Sequence, residues 1–117
     1  MSDDTVTLAY TDWTVVELDG EPVEMGADEP PPSLALDLEE SRVSGWGGVN
    51  RLTGTFALSE DELRFGLLAT TRMAGPEDAM RRERELLGAL ERVTTYDLDA
   101  RALTLLAGDD AVLRLVC

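Results

Sequence analysis

Across most of this chain apolar and polar residues alternate in short runs, and turn-forming residues interrupt those runs roughly every 8–12 positions. A period of two sends successive side chains to opposite faces of an extended strand. A chain patterned this way buries its apolar face by laying short antiparallel strands side by side. Ser33–Leu38 shows the pattern most clearly, with Leu34, Leu36 and Leu38 facing one way and Ser33, Ala35 and Asp37 the other. Trp13–Leu18 is β-rich and stops at Asp19-Gly20, a strong hairpin signal. Arg42–Trp46 and Thr53–Leu58 read as strands on either side of a glycine-rich bend, and Glu60-Asp61-Glu62 turns into Leu63–Phe65. Thr94–Leu98, Ala102–Leu106 and Val112–Val116 read as a closing meander whose last turn is Gly108-Asp109-Asp110. Between Glu24 and Pro32, three prolines and three acids predict an extended surface loop, because proline lacks the donor that regular structure needs.

One segment breaks the alternation. From about Pro76 to Arg92 the spacing is helical, with Pro76 suited to a first turn and Glu77 and Asp78 favourable at the positive end of the helix dipole. Ala79, Met80, Leu86, Leu87 and Leu90 fall on one stripe, as a helix lying on a sheet requires. Glu83 falls in the middle of that stripe. A carboxylate placed there must be ion-paired, hydrogen-bonded or neutral. Arg51 and Arg72 are its candidate ionic partners, with a tether to backbone as the other form of the same arrangement.

Composition then removes whole classes of function. With 117 residues and 44 % apolar content, the chain can bury one core without metal or disulfide staples. It has no histidine and one cysteine, so an imidazole acid–base step, a His-ligated zinc site and an internal disulfide are all excluded within it. Residues 1–40 hold twelve acids and no base, whereas the remainder holds twelve acids and all ten arginines, so the two parts carry −12 and −2. Such a surface repels phosphate backbones and anionic lipid, which excludes nucleic-acid partners. No apolar run approaches the ~20 residues of a membrane span, and the start, MSDDTVTLAY, lacks the basic and apolar regions of a secretory signal. No membrane insertion and a cytoplasmic location are expected.

The stretch Val43-Ser44-Gly45-Trp46-Gly47-Gly48-Val49-Asn50-Arg51-Leu52-Thr53-Gly54-Thr55-Phe56 resembles the "SGxxGCNxxxGxY" core of the META-domain, or HslJ-like, family. Leu63-Arg64-Phe65 followed by Leu68-Ala69-Thr70-Thr71-Arg72-Met73-Ala74 resembles its "LxF…aTxMaC" element, and Trp13 with Leu18-Asp19-Gly20 suits its opening "WxLxxLxG". The resemblance implies an α+β fold: a small antiparallel β-barrel-like sheet, here of about eight strands, with one inserted α-helix at about 76–92. Residues 1–10 then form an acidic N-terminal segment, and residues 11–117 a single domain. The resemblance also implies stress- or envelope-related phenotypes and no established enzymatic activity. Val49 and Gly75 stand where the family usually has cysteines, and their joint replacement fits a protein kept from oxidising compartments.

The glycines Gly45, Gly47, Gly48 and Gly54 match no phosphate-cradling pattern and are expected to serve a tight bend or bulge, with Asn50 satisfying backbone groups in the same turn. Asp97, Asp99, Asp109 and Asp110 lack the spacing of a calcium loop, and Ser44 and Thr70 have no visible base. No catalytic residue, metal or cofactor is therefore expected. The six aromatic side chains are too scattered for a stacking platform, and Cys117 reads as an idle terminal thiol. The leading expectation is a monomeric, non-catalytic module acting through an unidentified protein partner. The alternative is a barrel enclosing a small apolar ligand, against walls such as Leu34, Leu36, Leu87 and Leu90. A cleft bringing Glu83 close to a second carboxylate would favour an enzyme instead.

Overall fold

The computed structural model describes Leu8 and residues 11–23, 30–99 and 101–117. The acidic segment 1–10, Leu8 apart, and residues 24–29 of the proline-rich loop lie outside the described residues. Strands β1 (Trp13–Leu18), β2 (Glu21–Pro22), β3 (Ser33–Asp37), β4 (Arg42–Trp46), β5 (Arg51–Ser59) and β6 (Glu62–Thr70) precede the helix α1 (Glu77–Arg92); β7 (Thr95–Asp99), β8 (Ala102–Ala107) and β9 (Asp110–Val116) follow it. Every pairing is antiparallel. β1 pairs with both β3 and β9, so β1 and β3 to β9 close into an eight-membered ring, with the two-residue β2 appended to β1 as a hairpin. That hairpin turns through Asp19 (φ 52°) and Gly20 (φ 85°), the two left-handed residues that match the twist of its strands.

Closure follows from the alternation. Leu34, Leu36, Val43, Leu52, Phe56, Leu63, Leu103, Leu105, Leu113 and Leu115 point inward and form one buried cluster with Trp13 and Val15. The helix adds Leu86, Ala89 and Leu90 to the same cluster. The Trp13 indole is fully buried and donates from Nε1 to the Leu8 carbonyl at 2.9 Å. Gly45 sits in the middle of β4, where a Cβ would run into the Ser33 carbonyl of β3, so the strands there approach as only glycine allows.

Four expectations are corrected. Leu38 leaves the strand and is 47 % exposed, because β3 ends at Asp37, whose carboxylate accepts the Glu39 N–H at 3.0 Å and starts a turn. Pro32, read as surface loop, is fully buried; its carbonyl accepts the Val15 N–H at 2.9 Å and prolongs the contact between β1 and β3. β6 runs to Thr70 rather than ending at Phe65, since its alternation is hidden by a register shift opposite Thr55. The buried helix face comprises Ala79, Glu83, Leu86, Ala89 and Leu90, with Met80 and Leu87 at its margin rather than within it.

The ring is not evenly sewn. β5 and β6 pair along almost their whole length, whereas β6 and β7 share only Glu62↔Thr95. The helix connects these two strands and lies against β6, β9 and β1. Its Gly88 has nothing within 4 Å of a built Cβ. Gly88→Ala should therefore raise stability by about 0.5–1 kcal/mol, the helical cost of glycine relative to alanine. A urea midpoint shifted upward at constant slope is the expected reading.

Candidate functional site

The glycine-rich bend between β4 and β5 presents its backbone N–H groups to the helix. Glu83 is 5 % exposed and receives them: Oε2 accepts Val49 N–H at 2.9 Å and Asn50 N–H at 2.6 Å, while Oε1 accepts Asn50 Nδ2 at 2.8 Å. Asn50, 4 % exposed, then reaches the segment after β6. Its Oδ1 accepts the Met73 N–H at 2.6 Å and the Thr71 hydroxyl at 2.9 Å, and its Nδ2 also donates to the Met73 carbonyl at 3.3 Å. Both amide donors and the amide acceptor are thus in use. Thr71 completes the knot by accepting the Arg51 N–H at 3.1 Å.

This arrangement is a backbone tether, not an ion pair. Arg51 and Arg72 are exposed and are not among Glu83's partners, so their proposed ionic role is corrected: the donors are N–H groups already at hand in a bend that no longer chain has to reach. Asn50 also acts differently from the expectation. It ties two separate segments together instead of closing its own turn. Of the four glycines, only Gly47 and Gly48 lie in the bend, and only Gly48 is left-handed (φ 120°). Gly47 is set by close approach, since a Cβ there would meet Glu83 Cγ at 2.7 Å and Oε2 at 2.8 Å. Gly54 lies within β5 beside the register shift. Val49 and Gly75 touch: a Cβ on Gly75 would stand 3.5 Å from the Val49 Cβ. Nothing in their residue types marks Thr71 and Met73 for these roles. Their signal is their position in the second family-like element, on either side of Arg72.

Beside the knot lies an open cleft of about 620 Å³ between the last third of β6, the segment 71–74 and the helix. Leu68, Met73, Met80 and Leu87 supply its apolar surface, and Arg72 and Arg84 line it as well. Met73 is 63 % exposed. Among the described residues lining the cleft, Glu83 is the single carboxylate, with both oxygens engaged. Among the described residues, no group of three His, Cys, Asp or Glu side chains could hold a metal ion, and no helix is long and apolar enough to cross a membrane.

The META domain family profile matches residues 6–116. Solved structures share the fold. A structure determined by NMR is 28 % identical, covers 96 % of this chain and 95 % of its own, and superposes with a TM-score of 0.71. An NMR structure of a protein from Burkholderia xenovorans is 24 % identical over 99 % of this chain and 91 % of its own, with a TM-score of 0.74. A crystal structure of a DUF4847-family protein from Bacteroides vulgatus is 15 % identical over 93 % of each chain, with a TM-score of 0.64. No curated protein gives a significant match.

Proposed function

This chain belongs to the META domain family, and from that footing we propose that it is a non-catalytic interaction module whose contact surface is the cleft between β6 and α1. The observation that carries the reading is apolar exposure there: Met73 stands 63 % in solvent beside the half-buried Leu68, Met80 and Leu87, all lining the one cleft. Clustered exposed apolar side chains mark contact sites, and methionines adapt to varied partners. The lack of catalysis is supported by Glu83, whose oxygens serve structure and leave the cleft without a free base. The apolar-ligand alternative has weaker support, because Leu34, Leu36 and Leu90 belong to the continuous core and Leu87 lines the outer cleft. A cytoplasmic, stress-linked setting is part of the proposal; its location rests on Val49 and Gly75, in contact here without sulfur at positions where the family resemblance implies a cysteine pair.

The test places a photo-crosslinking side chain at Met73 and, as control, at the exposed Leu38 on another part of the barrel. Crosslinks to a discrete protein in cells from Met73 but not Leu38 are expected, with a native mass equal to that of the bare chain. Solvent-released excess mass with no Met73 crosslinks would instead establish a carrier.

A further inference from the structure

Among the described residues, the unequal pairing of β6 leaves one side of part of the strand without a paired strand. Near its start, Leu63 N–H donates to Thr94 O at 3.0 Å, joining β6 to the β7 side. At its far end, Thr71 N–H donates to Arg51 O at 3.1 Å, toward β5. Backbone groups alternate sides along an antiparallel strand. Ala69, opposite Thr53, therefore faces β5, while Leu68 and Thr70, opposite Gly54 and Leu52, turn their N–H and C=O groups the other way. Among the described residues no strand pairs with that side of β6 beyond Glu62. Leu68 and Thr70 both line the cleft.

An open strand edge is a template for another strand. Here it lies beside the apolar surface of Leu68, Met73, Met80 and Leu87, with Arg72 and Arg84 on the same cleft. Neither arginine has an ion-pair partner among the described residues, in a chain whose net charge is −14. We infer that the β6 edge takes up an extended peptide segment of a partner protein by strand addition: its backbone pairs with Leu68 and Thr70, alternate apolar side chains enter the cleft, and acidic side chains meet Arg72 and Arg84. This rests on the contact-module reading above and specifies the partner's chemistry and how it binds. Main-chain pairing supplies affinity that is indifferent to sequence, and the cleft and the two cations select an apolar, acidic segment.

The experiment pans a random displayed dodecapeptide library against the full chain and titrates the enriched peptide by NMR. Enrichment of alternating apolar and acidic residues is expected, with slowed amide exchange at Leu68 and Thr70 on binding. The double reversal Arg72→Glu/Arg84→Glu should weaken the peptide at least about tenfold. Thr70→Pro removes only an outward-facing donor, which an edge strand tolerates, so it should keep the parent's unfolding transition and lose the peptide. Peptides that shift the Met73 and Met80 methyl signals while leaving Leu68 and Thr70 exchange unchanged would overturn strand addition and leave the contact reading standing. Enrichment of basic peptides would overturn the charge assignment, and no enrichment at all would overturn both readings.

Discussion

Replacing Glu83 with alanine is expected to destabilise the protein by about 3–5 kcal/mol, the range found when one partner of a buried charged contact is removed. Three donors lose their acceptor at once: the N–H groups of Val49 and Asn50 and the Asn50 side-chain amide. All are held in a buried bend, and each unsatisfied buried donor costs about 1–3 kcal/mol. Removing the acceptor also frees Asn50, and with it the hold on Thr71 and Met73. Glu83→Gln separates the contributions. Its amide oxygen can serve the two backbone N–H groups, but its NH2 then faces the donating Nδ2 of Asn50, so an intermediate loss is expected. Urea unfolding at constant slope reads both values. A loss below ~1 kcal/mol for the alanine variant would sink the tether as an organising contact.

Introducing cysteines at Val49 and Gly75 together is expected to have an effect of similar size and opposite sign. A Cβ at Gly75 lies 3.5 Å from the Val49 Cβ, at the short end of the separations that disulfides span. Gly75 does not have a left-handed backbone, so a side chain there is not strained by conformation. The crosslink would close a loop of about 26 residues, for which chain entropy gives roughly 3.5 kcal/mol of stabilisation, within a typical range of about 2–4 kcal/mol. Mass loss of two hydrogens on oxidation and a raised midpoint that returns on reduction are the checks. Failure to oxidise would show that these positions do not approach as closely as the native contact indicates. Gly75→Ala alone should be mildly unfavourable, because its methyl would press on both Val49 methyls at 3.0 Å.

Much of the architecture could be read from residue order. Asp19-Gly20 marked a turn that the structure makes with two left-handed residues, and Arg42–Trp46 is a strand with the predicted bounds. The helix begins one residue after Pro76 and ends at Arg92. The errors cluster where local pattern loses to geometry. Alternation ends β6 too early, because its register shift breaks the period of two, and it places Leu38 inward, because it does not reveal where a strand stops. A helical wheel puts Met80 and Leu87 on the buried stripe because it shows a stripe but not its partner; in the fold they edge the cleft.

By itself the sequence determined the class of fold, the single helix, the absence of imidazole and disulfide chemistry, and that an acid lay on the buried side of that helix. Those properties depend on residue types and on spacings within one or two turns of chain. What receives that acid was decided only by tertiary structure. Glu83 meets Val49 and Asn50 across 34 and 33 positions, and Asn50 meets Met73 across 23. Such contacts exist only once the ring of strands has closed and carried the bend under the helix. The open edge of β6 has the same origin: a strand's own residues specify its two faces, but whether a neighbour arrives along its side depends on where the rest of the chain goes.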